Sequence, residues 1–179
     1  MRFKKLYKFI LSEFSLGNKS IHGPIHWKMV EKNGFEIAET NGADKEVIKL
    51  FAILHDCKRE NEDFDSEHGP RAKTFCQWLQ KNTNYLQLTD EQFKKLCYAC
   101  NNHTRGEISS DDTIGTCWDA DRLDLPRVGI IPQSKYMSTK EGKKKAIAIQ
   151  GNKVGKEHKQ AGIEKSWWNF WERIFYQSI

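Results

Sequence analysis

Apolar residues over the first 130 or so positions recur at three- and four-residue intervals between polar breaks, and strict alternation is scarce. That is the periodicity of amphipathic helices packed on one another. Phe3, Leu6, Tyr7, Ile10, Leu11 and Phe14 share one helical face at the start of the chain. Pro24 suits the first position of a helix and Asn41-Gly42 suits its end, so a second helix is predicted from Pro24 toward Thr40. Ile25, Met29 and Val30 begin its apolar stripe. Asp44 caps a third helix in which Val47, Ile48, Leu50, Phe51, Ile53 and Leu54 cover most of the circumference. A helix apolar nearly all round belongs in the middle of the molecule. It runs into His55-Asp56, and the polar stretch from Lys58 to Ser66 predicts a loop.

His68-Gly69-Pro70 opens a fourth helix with Ala72, Phe75, Cys76 and Leu79 inward. Thr89 caps a fifth, with Glu91 and Gln92 in its first turn, that ends near Asn101, Asn102 and His103. Thr104 to Asp112 predicts a loop and Ile114 to Leu125 a helix, after which Pro126 and Pro132 interrupt the pattern. Lysines 140, 143, 144, 145, 153, 156 and 159 then make the chain basic, and Trp167, Trp168, Phe170, Trp171, Phe175 and Tyr176 crowd a last helix. Trp167, Trp171 and Phe175 fall at four-residue spacing, which predicts a helix docked on the core rather than a membrane or nucleic-acid contact. The expected architecture is all-α, a single-domain bundle of about seven or eight helices. The domain spans 1–179, with its core over about 20–130 and a basic, aromatic helical extension over about 135–179.

Bulk properties narrow the class. The chain has 179 residues, 38% hydrophobic and 12% aromatic, enough for a real core. A formal charge of +5 suits an anionic substrate and equally an ordinary basic protein. No stretch approaches the roughly 18 consecutive apolar residues of a membrane span. The N-terminus begins with basic residues, but its apolar residues are broken by Lys8 and Glu13 and no small-residue cleavage site follows, so a cytoplasmic location is expected. Five cysteines without a secreted-protein pattern are expected to be reduced. Cys97 and Cys100 have the spacing of a redox or zinc pair, but no second pair accompanies them and a buried packing role is expected.

The chemistry concentrates at His55-Asp56. An aspartate is expensive to bury unless paired or ligated, and here it follows a turn of Phe51, Ala52, Ile53 and Leu54. Neutral imidazole plus carboxylate suits a divalent ion such as Fe, Mn, Zn, Ni or Co. Taken alone, the dipeptide better suits a helix end where His55 favours the dipole and Asp56 is solvated. Two further positions change the balance: His26, whose helix face is set by Val30 four residues on, and Asp121, in a run with buried-looking Trp118 and Leu123.

The ordered set of an early His, a His-Asp pair and a late Asp resembles the HD superfamily of metal-dependent phosphohydrolases. The segments carrying the resemblance are HWKMV at 26–30, FAILHDCKR at 51–59, HGPRA at 68–72 and DADRLD at 119–124, so it spans roughly residues 20–130. It implies an HD-type helical bundle in which His26, His55, Asp56 and Asp121 bind a divalent ion. His26 is preferred to His22, and Asp121 to Asp119 or Asp124, by their match to the family motif. Two-metal members carry additional histidines at the start and end of intervening helices, which His68 and His103 match. The resemblance thus implies one ion, or two with Asp56 bridging them.

The implied activity is hydrolysis of a phosphate ester or anhydride in a nucleotide or related small molecule, by a water that the metal activates. Asp56 is the expected catalytic group besides ligating the ion. Arg59, Arg122 and His22 are the expected substrate-binding residues, with Arg105 a further candidate. Lys58 stands where members often carry Gly, so the turn there departs from the pattern. Glu60, Glu62 and Glu67 are candidate acids by position only. Two alternatives accompany this reading: a di-iron oxygenase of the same superfamily, and a non-catalytic nucleotide-binding helical module. A small phosphorylated molecule is the expected partner, nucleic acid is compatible but not favoured, and nothing in the chain signals its oligomeric state.

Overall fold

The computed structural model describes residues 2–156. The predicted aromatic helix with Trp167, Trp171 and Phe175 lies outside them. Among the described residues there are seven α-helices, three short 3-10 turns and no strand: α1 (Arg2–Glu13), α2 (Pro24–Asn41), α3 (Lys45–Leu54), α4 (His68–Asn82), α5 (Asp90–Asn102), α6 (Asp112–Arg122) and α7 (Lys140–Lys156). None of these helices is long and apolar enough to cross a membrane.

The most apolar helix takes the central place. α3 packs against α1, α2, α5 and α6, and Val47, Ile48, Leu50, Phe51, Ala52, Ile53 and Leu54 are all buried. Burying a side chain of this size stabilises by about 1.5–3 kcal/mol. Asp44 starts α3 by accepting from the backbone N–H groups of Glu46 and Val47, at 2.9 and 3.2 Å. α2 ends where Gly42 turns left-handed at φ 71° and its N–H reaches the carbonyl of Ala38. α2 lies so close to α3 that a Cβ on Gly34 would sit 2.5 Å from Cγ2 of Ile48.

Two local expectations need correction. Ile25 is 60% exposed and does not begin the inner stripe of α2; His26, Trp27, Val30, Gly34, Ile37 and Ala38 do. The polar His26 takes the inward position, and Ile25, about 100° round the helix, is turned out. α6 starts two residues earlier than its apolar pattern predicts, because Asp111 accepts from Thr113 and Ile114 at 2.9 Å. It also ends earlier, at Arg122, and the chain continues as a 3-10 turn over Leu125–Val128.

α7 is fastened to α6 by one buried carboxylate. Asp119 accepts from the N–H groups of Ser138 (2.7 Å) and Thr139 (2.8 Å) and from the Thr139 hydroxyl (2.8 Å). Ile37, Leu123, Met137 and Ala146 form a small apolar cluster beneath it. Lys143 and Lys144 face solvent and Lys145 pairs with Glu36 at 2.7 Å, in keeping with a solvated basic face. All five cysteines are free and buried. Burial pushes the Cys97 thiol up to about 12, a packing role rather than a reactive one.

Candidate metal centre

Helix ends converge on one point in the core. His26 is in the first turn of α2, His55 caps the C-terminus of α3 with Asp56 next in the chain, and His68 opens α4. His103 begins the 3-10 turn after α5, and Asp121 is in the last turn of α6. His26, His55, Asp56, His68 and His103 are each at most 5% exposed. Five polar groups in an apolar interior demand partners.

The partners are one another. His26 Nε2 lies 3.1 Å from His55 Nε2 and 3.3 Å from Asp121 Oδ1. Asp56 Oδ2 is 3.6 Å from both of these imidazole nitrogens. The other oxygen of Asp56, Oδ1, is 3.1 Å from His68 Nε2 and 3.5 Å from His103 Nε2, and those two nitrogens are 2.8 Å apart. Asp56 thus has one oxygen toward His26 and His55, and the other toward His68 and His103.

The outer nitrogens settle which atoms face inward as lone pairs. His55 Nδ1 lies 3.1 and 3.2 Å from the carbonyls of Phe51 and Ala52, His103 Nδ1 is 2.8 Å from the carbonyl of Cys100, and His26 Nδ1 is 2.7 Å from Asp124 Oδ2. His68 Nδ1 faces the carbonyl of Asp65. Each of these oxygens only accepts, which keeps the hydrogen on Nδ1 of His26, His55 and His103 and turns their Nε2 atoms to the centre, whereas His68 Nδ1 also lies 3.0 Å from the donor Arg59 Nη1. Imidazole nitrogens and two carboxylates crowded this closely need a cation or protons between them. Imidazole and carboxylate with Nδ1 anchored outside is the donor set that holds Fe, Mn, Zn, Ni or Co. Two groups already have ligand atoms within 4.8 Å of one another: His26, His55 and Asp121, and His55, Asp56 and His103. The chain's residues fit a divalent ion on chemistry alone.

Without a cation, protons take its place. Burial draws the His26 pKa down, but bonds to Asp121 and Asp124 and the charge of Asp56 outweigh it and push it up to about 9. For His103, burial is likewise outweighed by the bond to Asp56 and the charges of Asp56 and Asp121, and its pKa is raised. Burial dominates at His55, drawing it down to about 3 despite Asp56 and Asp121. At Asp56, burial is outweighed by His55, His103, His22 and His68, which hold the carboxyl well below the usual carboxylate range.

The expected substrate-binding residues divide. Arg59 is 7% exposed, with Nη1 3.9 Å from Asp56 Oδ1 and 3.0 Å from His68 Nδ1, and Nη2 bonded to the carbonyl of Asp63 at 2.7 Å. Its Nε is buried with no acceptor among the described residues. His22 is also at the cluster, with Nδ1 2.9 Å from Asp56 Oδ2. Arg122 is not brought there in the same way. Its two terminal nitrogens donate to the carbonyls of Tyr136 (2.5 Å) and Glu107 (2.7 Å), bracing two loops. Arg105, Glu60, Glu62 and Glu67 are exposed, and Glu62 accepts from Ser20 at 3.1 Å.

Two residues of the cluster were not singled out by sequence reasoning. Asp124, set aside there as a ligand, instead binds the outer nitrogen of His26, and Arg127 stands 3.6 Å from Asp124 Oδ2. The signal was the three-residue spacing from Asp121 to Asp124 and again to Arg127.

No protein-family model matches the chain, and no curated protein matches it. Among solved structures it is similar to a predicted HD superfamily hydrolase from an uncultured Thermotogales bacterium. The TM-score is 0.66, over 86% of this chain and 88% of that one, at 22% sequence identity. The two proteins share their arrangement of helices, and the fold of this chain is therefore the all-α HD-type fold.

Proposed function

We propose that this protein is a metal-dependent phosphohydrolase acting on a phosphate ester or anhydride of a nucleotide or related small molecule. The observation that carries the reading is the two-sided use of Asp56, with His26 and His55 at one oxygen, Asp121 reaching the same His26 nitrogen, and His68 and His103 at the other oxygen. That division suits two divalent ions sharing one carboxylate, with His26, His55 and Asp121 on one and His68 and His103 on the other. The fold shared with a predicted hydrolase supports the same reaction class. A divalent ion bound there supplies Lewis acidity: it lowers the pKa of water and polarises a phosphoryl oxygen.

The chain's own residues do the remaining work. Asp56 is held ionised, so it orients a water by accepting its hydrogen bond rather than by storing its proton. Arg59, with Nη1 3.9 Å from Asp56 Oδ1, is the guanidinium best placed to meet phosphoryl oxygens, and its planar donor set suits that anion. His22, partly open to solvent and bonded to Asp56, lines the approach. Arg122 is given no part in substrate binding, since its donors are already engaged.

The test joins metal analysis of the purified protein to a phosphate-release screen over nucleotides, phosphomonoesters and phosphodiesters with Mn, Co, Fe, Ni or Zn. Phosphate release that needs added metal, proceeds without oxygen and disappears in Asp56→Ala is expected. Turnover that requires iron and oxygen would point instead to the oxygenase alternative.

A further inference from the structure

The first half-site has a support outside the ligand set. His26 is buried completely, and its ring is gripped at both nitrogens by carboxylates three residues apart: Nε2 is 3.3 Å from Asp121 Oδ1, and Nδ1 is 2.7 Å from Asp124 Oδ2. Asp124 is itself held. Arg127 Nη1 lies 3.6 Å from its Oδ2 and also donates to its backbone carbonyl at 3.2 Å. The same guanidinium ties this turn to the loop before α2, through Nε to the carbonyl of Ile21 (2.9 Å) and Nη2 near His22 Nδ1 (3.5 Å).

We infer that Asp124 is a positioning residue for metal binding at the His26 half-site, and that Arg127 holds it in place. The inference rests on the metal reading above. An imidazole can present Nε2 as a lone pair only if its hydrogen is kept on Nδ1, and a rigid acceptor at 2.7 Å keeps it there. A carboxylate acceptor also strengthens the imidazole as a donor to metal, which the carbonyls behind His55 and His103 do less well. Asp124 makes no contact with the His68–His103 side, so its effect is confined to one half of the centre.

The experiment is Co2+ titration by chelator competition on the full chain, for the parent, Asp124→Ala, Asp124→Asn and Arg127→Met. Asp124→Ala is expected to weaken one Co2+ equivalent by about 10–100-fold and leave the other unchanged. Asp124→Asn, whose side-chain oxygen still accepts from Nδ1, recovers most of the loss, and Arg127→Met falls between. Parent affinity at both equivalents in Asp124→Ala, or equal weakening of both, overturns the inference. Proton–nitrogen NMR of the metal-free protein reads the same contact without metal: a far-downfield Nδ1–H signal of His26 should persist in Asp124→Asn and vanish in Asp124→Ala. Should the parent bind no Co2+ while that signal follows Asp124, the metal reading fails and the positioning of His26 stands. If the signal survives in Asp124→Ala, the positioning fails.

Discussion

His68 and His103 stand thirty-five residues apart in the chain, yet their Nε2 atoms approach to 2.8 Å while both Nδ1 atoms face carbonyl oxygens. Two ring nitrogens this close need a proton or a cation between them. The pair is stable as a proton clamp or as a cation clamp, and Asp56 Oδ1, 3.1 Å from His68 Nε2, supplies the compensating charge for either. If the cation is the working state, His103→Ala should remove one equivalent of bound metal and leave the His26 side occupied. Elemental analysis of dialysed protein reads this directly, and unchanged stoichiometry would exclude His103 as a ligand.

Protons and metal compete, and the sign follows from His26. Its pKa rises from 6.5 unfolded to about 9 in the metal-free fold. The stability it contributes is complete below pH 6.5 and lost as pH climbs through 9. Metal needs the same nitrogen bare, so metal affinity should move oppositely and rise across that window. Calorimetry in buffers of different ionisation heat at pH 7.5 should show proton release, about one per ion bound. An affinity independent of pH between 6.5 and 9 would contradict the assignment of His26.

Metal removal should also be visible in stability. A ligand that binds only the folded state adds about 2.7 kcal/mol at one hundred times its Kd. Thermal unfolding with excess Mn2+ or Co2+ should therefore lie well above unfolding in EDTA. The difference should shrink sharply in Asp121→Ala and His55→Ala.

Gly69 decides how close α4 comes to α5. A Cβ there would lie 2.9 Å from the carbonyl oxygens of both Cys100 and Asn101, backbone atoms that cannot turn aside. Gly69→Ala should push the start of α4 outward and carry His68 away from His103. Overpacking of this kind destabilises by about 1–3 kcal/mol, to be read by chemical denaturation. Metal content on the His68 side should fall with it.

Two arginines that look alike in the sequence should behave differently. Arg59→Met removes a buried guanidinium whose Nη1 lies 3.9 Å from Asp56 Oδ1, and is expected to lower kcat/KM for a phosphate ester by about 10–100-fold with metal content retained. Arg122→Met removes bonds to Glu107 and Tyr136 and should lower the unfolding temperature instead. Measuring both constants on both variants separates the roles, and equal loss of activity in the two would refute the division.

Periodicity and end signals alone determined most of the architecture. Pro24 and Gly42 bound α2, Asp44 and Thr89 cap α3 and α5, and the all-round apolar face of α3 puts it at the centre. The four proposed ligands His26, His55, Asp56 and Asp121 were legible only through the resemblance to the HD superfamily, which rests on residue type and order along the chain. What only the tertiary structure decided is direction. Whether Arg59 or Arg122 faces the cluster, and whether Asp124 supports His26 or faces solvent, depends on which carbonyls and carboxylates the packed helices bring within about 3 Å. Spacing places a side chain on a face of its own helix. The hydrogen-bond partner it finds there comes from another helix, and that is set by how the helices pack.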